Sequence, residues 1–193
     1  MARPRTYDRD TVLDKAMSLF WRLGYEGAHL SALVTHTGLN RFSLYKEFGG
    51  KAGLYEAALE KFLGYLLGQY RDILTVQPLG LENIEAVLRS LQYGSEYYGC
   101  FMINTLTQRD TVPEGAYAKA LAGADEIEAL YFGNLVSAMA RGQIASGSNV
   151  AGLGKMLQTL DQGLHIQGLA GTSDAQKDRV ISAVMAGLRT GVA

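Results

Sequence analysis

One short stretch of the sequence carries most of the side chains that could contact a charged partner. From Thr35 to Tyr55 it reads THTGLNRFSLYKEFGGKAGLY, in which three cations stand beside aromatic residues and small hydroxyls. A helix that only packs into a core does not need this mixture. Guanidinium and ammonium groups donate to phosphates and to guanine edges, and aromatic rings contact thymine methyl groups. These residue types favour contact with nucleic acid.

The elements that would position these side chains are three helices. Apolar residues at helical spacing predict a long amphipathic helix that stops at Gly24. A short helix from Leu30 to Thr37 then ends at Gly38, and Asn40 caps another that runs from Arg41 to Phe48. Two short helices joined at TGLN after a longer one have the spacing of a helix-turn-helix, whose second short helix lies in the DNA major groove.

The predicted DNA contacts lie on the outward side of this second short helix, because Leu44 and Phe48 point inward. Tyr45 and Lys51 are placed to hold phosphates at the rim, although Tyr45 could instead pack against the two inward residues. Exposed cations can also be a merely solvated surface. The full set of predicted DNA contacts is Ser31, Asn40, Arg41, Phe42, Ser43, Tyr45, Lys46 and Lys51. Arg3 and Arg5 could reach a minor groove, or the terminus could be disordered.

The charge of the chain is divided unequally. Residues 1–51 contain eight Lys or Arg against five Asp or Glu, and the remaining residues contain ten against fourteen. A basic amino-terminal part therefore precedes an acidic body, although the net charge is only −1. The imbalance is consistent with polyanion binding by the first part, but it is small enough to arise by chance.

The rest of the chain predicts further helices and no strands. Their expected spans are Lys51–Leu74, Leu81–Tyr98, a buried helix within GCFMINTLTQRD, a helix to Arg141 after a capping box of Thr111 and Glu114, Val150–Leu169, and Ala175–Leu188 after a second box of Ser173 and Gln176. The last two helices carry apolar stripes that could be core or a homodimer interface, namely Val150, Leu153, Leu157, Leu160 and Leu164, and Val180, Ile181, Val184, Met185 and Leu188. We expect an all-α protein with about nine helices.

Composition limits the class of protein. Hydrophobic residues make up 48% and charged residues 19% of the 193-residue chain, which is typical of a soluble globular protein. No apolar run is long enough to span a bilayer and the start lacks a secretory signal, so we expect a cytoplasmic protein without a membrane partner. The single cysteine, Cys100, agrees with a reducing compartment, and its apolar neighbours indicate burial more than redox sensing.

An enzyme is the main rival class, and the sequence offers little for it. There is no glycine-rich phosphate loop, serine elbow or His-Glu-x-x-His zinc site, so we predict no catalytic residue, no metal and no cofactor. Asp161 and His165 lie one helical turn apart and could pair. A second rival is a helical module that binds a protein or a small molecule and does not bind DNA.

The first 55 or so residues closely resemble the amino-terminal domain of the TetR family of bacterial transcriptional repressors. The matching marks are GYEG, TGLN, SLYKEF and the lysine after the glycine break. The resemblance implies a three-helix DNA-binding head at residues 1–50, an effector-binding and dimerisation body at residues 51–193, and a homodimer on a palindromic operator, released by a small molecule. The last two helices would form the dimer contact.

Two residues depart from the family pattern. His29 stands where a Ser or Thr cap is usual, so a phosphate contact there would shift to Ser31. Phe42 is bulkier than the usual residue, which affects how deeply the helix docks. For the effector, an apolar site with a few polar groups is expected. The candidates are Tyr65, Tyr93, Tyr97, Phe101, Met102, Asn104 and His165, each of which could also be a core residue.

Overall fold

The computed structural model describes residues 7–94 and 96–190, and every regular element in these ranges is an α-helix. This confirms the expected all-α class. The nine helices of the described residues are α1 (Arg9–Gly27), α2 (Leu30–Thr37), α3 (Arg41–Phe48), α4 (Lys51–Leu74), α5 (Leu81–Ser90), α6 (Phe101–Thr107), α7 (Glu114–Ala140), α8 (Val150–Leu169) and α9 (Asp174–Thr190).

Helix ends follow the local signals in most places. Asp8 caps α1 by accepting from the backbone amides of Asp10 and Thr11. The predicted stop at Gly24 is a kink inside α1, because Gly24 has a φ of 71° and the helix continues beyond it to Gly27. The box of Ser173 and Gln176 is reciprocal, with Gln176 Oε1 accepting from the Ser173 amide at 3.0 Å and Ser173 Oγ accepting from the Gln176 amide at 3.3 Å.

Two predicted helix boundaries are wrong. Thr111 does not cap α7, because the helix begins only at Glu114, and the Thr111 hydroxyl instead donates to the Gln108 carbonyl. The helix expected to reach Tyr98 ends at Ser90, and residues 91–94 and 96–99 are not helical. Contacts that are distant in sequence hold this segment: the Tyr93 hydroxyl, for example, donates to the Leu164 carbonyl at 2.6 Å. Local helix propensity is overridden by these tertiary hydrogen bonds.

The chain divides into two compact units, with boundaries within α4, just before α6 and within α7. The first takes in the described residues up to Tyr65 together with Cys100–Ala122, and the second takes in Leu66–Gly99 and the residues from Gly123 onward. The sequence predicts a head of residues 1–50, whereas this first unit also holds the start of α4 and all of α6.

Aromatic residues build the core of the first unit. The Phe101 ring of α6 lies edge-on to the Tyr55 ring, with centroids 5.3 Å apart, and stacks at 6.3 Å with Trp21 of α1. The buried Tyr55 hydroxyl also shares a hydrogen bond of 2.9 Å with the Thr105 hydroxyl. Aromatic pairs of this kind stabilise a core beyond their buried area. Helix α6 is therefore fixed to the helices that precede it by both packing and a buried hydrogen bond.

The apolar stripes of α8 and α9 mostly face the core of the second unit. Of the residues that the sequence left open between core and interface, the buried ones are Val150, Leu153, Leu157, Leu164, Ile181, Met185 and Leu188, whereas Leu160 and Val184 are half-buried and Val180 is exposed. Exposed large apolar side chains of the same two helices are Met156, Ile166, Leu169 and Val180. Most residues of both stripes are therefore core residues. The exposed apolar side chains of α8 and α9 lie mainly outside the stripes.

Candidate functional site

The turn between α2 and α3 is built by local hydrogen bonds. Gly38 is left-handed at φ 77°, as its place after α2 predicts. The buried Thr37 hydroxyl donates to the Leu33 carbonyl at 2.6 Å and accepts from the Leu39 amide at 3.2 Å. Asn40 caps α3, its side-chain oxygen accepting from the Ser43 amide at 2.8 Å. These bonds fix where α2 ends and α3 begins, so the helix-turn-helix geometry follows from residues close in sequence.

Helix α3 presents a cationic and aromatic surface on a buried base. Leu44 and Phe48 are buried, which anchors one side of the helix. On the outward side Arg41 and Lys46 are exposed, Phe42 is 75% exposed and Tyr45 is 51% exposed, while Ser43 is half-buried. An apolar side chain as exposed as Phe42 gains little from folding. The outward side of α3 therefore has the composition of a contact surface.

The single acid of α3 is neutralised from α1. Glu47 lies 3.6 Å from the Arg9 guanidinium, which also sits over the Phe48 ring at 5.5 Å from its centroid. The pair reduces the repulsion that a free carboxylate would exert on a phosphate. The one acid of α3 is therefore paired with a cation of α1.

A glycine that the sequence reading did not single out sets the approach of α4 to α3. A Cβ atom at Gly53 would lie 1.7 Å from the Phe48 carbonyl oxygen, so no other residue fits without moving the backbone. This close approach places Lys51 at the start of α4, where its Nζ donates to the Glu26 carbonyl at 3.4 Å and lies 4.4 Å from the Tyr25 ring centroid. Lys51 is held beside α3 at the amino end of a helix, a favourable place for an anion.

The start of α2 lacks the side-chain cap that a Ser or Thr would provide, as the sequence predicts. His29 occupies the N-cap position but makes no side-chain capping bond. Ser31 is exposed and lines a shallow depression with Thr35 and His36. Ser31 is therefore accessible from solvent in the first turn of α2. Arg3 and Arg5 lie outside the described residues.

Comparison with known proteins identifies the family. Residues 12–58 match the model of the bacterial regulatory proteins of the tetR family. The HTH-type transcriptional repressor ComR of Escherichia coli (strain K12) is 32% identical over 177 residues, which is 89% of this chain and 84% of ComR. The chain belongs to the TetR family. It is a transcriptional regulator, and the expectation that it is not an enzyme is confirmed by this membership.

Solved structures of similar proteins share the fold of this chain over nearly its whole length. A cysteine mutant of the TetR family regulator CifR, complexed with 26-bp double-strand operator DNA, is 29% identical with a TM-score of 0.84, covering 97% of this chain and all of CifR. Reduced E. coli NemR, at 18% identity and a TM-score of 0.80, covers 91% of this chain and 94% of its own and shares the fold. The resemblance noted for the first 55 residues therefore extends to the body.

The predicted effector residues do not all gather in one place. In the second unit the rings of Tyr93 and Tyr97 lie 5.1 Å apart, and the Tyr97 hydroxyl hydrogen bonds to His165 Nδ1. In the first unit the remaining candidates are Phe101 and Met102, which are buried, Asn104, which is half-buried, and Tyr65, which is 67% exposed. The effector role of all these residues stays a prediction.

A polar face of α8 inside the second unit is the feature that sequence reading missed. Gln158, Asp161 and His165 are all buried on this helix, between leucines of the same face. Asp161 does not pair with His165 as suggested, because its carboxylate accepts from the Tyr70 hydroxyl of α4, with oxygen distances of 2.9 and 2.8 Å. The polar residues at spacings of three and four along an apolar helix face were the available signal.

Burial controls the protonation of this face. It raises the pKa of Asp161 to about 7, while the Tyr70 hydrogen bond acts in the opposite direction. It also lowers the pKa of His165 to about 4, so this imidazole is neutral near pH 7. Burial and then the charge of Asp161 raise the pKa of Tyr131 well above its ordinary value. Asp161 is thus poised to change charge near neutral pH.

The described residues offer neither a metal site nor a membrane span. No group of His, Cys, Asp or Glu in the described ranges is arranged to hold a metal ion. None of the helices described is both long enough and apolar enough to cross a membrane. Cys100 is buried.

Proposed function

We propose that this TetR-family regulator is a ligand-responsive repressor that binds a palindromic operator as a homodimer. The observation that carries the proposal is the outward side of α3, where cations and aromatics stand exposed on a buried apolar base. The similarity to ComR, which is a transcriptional repressor, and to CifR, which is complexed with operator DNA, supports the same activity. Action on DNA makes the cytoplasm the expected location.

Each residue of the surface has a proposed role. Arg41 and Lys46 donate to base edges, Phe42 contacts a thymine methyl and Ser43 bonds a base or a phosphate. Tyr45, Lys51 and Ser31 hold phosphates, and Asn40 orients α3 through its capping bond. Phosphate contacts supply affinity and base contacts supply sequence choice. In this division, residues 1–50 read DNA and residues 51–193 carry the effector and dimer functions.

The proposed dimer contact uses the last two helices through their outward residues. Met156 and Ile166 of α8 and Val180 of α9 are large apolar side chains left exposed by the chain itself. Exposed apolar side chains that form a contiguous patch mark interaction sites, and we assign these three residues to the contact between copies. Two copies would present two α3 helices to successive turns of the operator.

The proposed effector site lies in the second unit around Tyr93, Tyr97 and His165. The rings of both tyrosines pack on Gly168, where a Cβ atom would lie 2.6 Å from ring atoms. They belong to the segment Leu91–Gly99, which continues directly into α6 of the first unit. A ligand that displaces this segment would shift α6 and the helices packed with it. Helix α4 is a second connection, because it contributes residues to both units.

A helical module that does not bind DNA is the alternative, and a gel shift separates the two. The DNA upstream of the gene of this protein should give a sequence-selective complex that weakens steeply with salt. Replacing Arg41 and Lys46 together with Ala should abolish the complex. Lys155→Ala is a matched control, because it removes a cation of α8 that pairs with Glu128. A complex that survives the double substitution would refute the assignment of α3.

A further inference from the structure

The carboxyl group of Asp161 is incompletely satisfied inside the second unit. Both of its oxygens lie within 2.9 Å of the same Tyr70 hydroxyl, which has a single proton to donate. Among the described residues no other hydrogen-bond donor reaches this carboxyl. A buried carboxylate accepts two or more donors in a stable arrangement, so an ionised Asp161 lacks at least one.

A second unmet polar group lies in the same region. The Tyr131 hydroxyl of α7 is buried and, among the described residues, has no hydrogen-bond partner. Burial raises the pKa of this hydroxyl and of that of Tyr93, and both lie within range of the charge of Asp161, which raises the pKa of each further. A buried unpaired hydroxyl costs about 1 to 3 kcal/mol, and each such group in a folded protein calls for a cause.

Within the part of the chain that the structure describes, no cation compensates Asp161. Lys155 of α8 pairs with Glu128 and Gln158, and Lys177 of α9 pairs with Asp174 and donates to the Leu91 carbonyl. His165 is neutral near pH 7 because burial lowers its pKa to about 4. The described surroundings therefore offer negative charge and a hydroxyl but no positive charge. A ligand that completes them must bring a positive group that also donates hydrogen bonds.

We propose that the effector is an organic cation whose protonated amine pairs with Asp161 and contacts the Tyr131 hydroxyl. The inference rests on the proposed function, since it names the chemical class of the effector. On the same helix as Asp161, the Leu164 carbonyl and the His165 ring hydrogen bond to the Tyr93 and Tyr97 hydroxyls. The apolar remainder of the ligand packs among leucines of α8, as in most small-molecule sites.

The test is calorimetric titration of the full-length protein with matched probes. Two carbon skeletons are used, butyl and phenethyl, each as an amine, an alcohol and a carboxylate. We expect the amines to bind at least about tenfold more tightly than the matched alcohols and carboxylates at about pH 8, and to weaken about tenfold at about pH 6, where Asp161 is protonated. If neither amine binds more tightly than its alcohol, the inference is wrong.

Variants assign the binding to this region. Asp161→Asn should weaken amine binding at least about tenfold, while the control Asp125→Asn changes an exposed carboxyl of α7 and should leave it unchanged. Tyr131→Phe removes only a hydroxyl and should weaken binding several-fold, so it tests the site even if Asp161→Asn fails to fold. Equal amine affinity in wild type and both variants would overturn the proposal.

The operator assay separates this inference from the proposed function. A saturating amine should release operator from the wild type and leave the Asp161→Asn complex intact. A protein that shifts no operator but binds amine through Asp161 contradicts the repressor function and leaves the cation site standing. Release of operator by the alcohols as readily as by the amines would overturn the cation inference while the repressor function stands.

Discussion

Replacing Asp161 with asparagine should change how the stability of the protein depends on pH. In the folded chain the pKa of Asp161 is about 7, against a usual value of 3.8, because burial disfavours the charged form. The folded state therefore holds its proton more tightly than the unfolded state. Stability falls as the pH rises from the unfolded pKa to the folded one, and the loss is complete above the folded pKa.

The magnitude follows from the separation of the two pKa values. Each pH unit between them removes about 1.4 kcal/mol of unfolding free energy, so Asp161 costs about 4 kcal/mol in total above neutral pH. About 3 kcal/mol of this falls within the convenient range from about pH 5 to about pH 8. The asparagine side chain of the Asp161→Asn variant carries no charge at any of these pH values, and its oxygen can still accept from the Tyr70 hydroxyl.

The assay is urea denaturation of the Asp161→Asn variant and the wild type, followed by circular dichroism across this pH range. Protein concentration is held constant, since association stabilises a dimer. The difference in unfolding free energy should shift by about 3 kcal/mol in favour of the variant as the pH rises. His165 titrates in both proteins, so its contribution largely cancels. For the control Asp125→Asn, at an exposed site, the difference in unfolding free energy from the wild type should not change with pH. A flat difference for Asp161→Asn would refute a buried, proton-binding carboxyl.

Three further outcomes test the first unit. Gly53→Ala should lower the free energy of unfolding, measured by urea denaturation, by about 3 kcal/mol or more, because a Cβ atom has no space beside the Phe48 carbonyl. Gly64→Ala in the same helix is the control: its Cβ atom meets nothing within 4 Å, so the free energy of unfolding should rise by up to about 1 kcal/mol. Equal effects at the two glycines would contradict the close approach. Lys51→Ala should weaken binding to all DNA sequences alike and reduce the salt slope of a binding titration by about one; an unchanged slope excludes a phosphate contact. Arg41→Ala should relax base choice at one position per half-site by about 1 to 3 kcal/mol in a competition assay with substituted operators. Retained discrimination at every position would exclude Arg41 as a reader.

The helix-turn-helix was predictable because its determinants are close in sequence. The bonds of Asn40 to Ser43, and of Thr37 to Leu33 and Leu39, all join residues within four positions of each other. Capping residues and apolar spacing therefore placed α2 and α3 at their observed bounds. The same local reasoning extended α5 too far, since it could not register the contacts that hold the segment after Ser90.

By itself, the sequence determined the all-helical class, the family and the outward set of α3 side chains, because helix periodicity and capping act over a few residues. Only the tertiary structure decided which stripes of α8 and α9 are buried and where Asp161 finds a partner. Tyr70 lies 91 positions from Asp161, and no local pattern encodes a pairing across that distance. The buried carboxyl gains its raised pKa from the helices packed around it, which a linear sequence does not display.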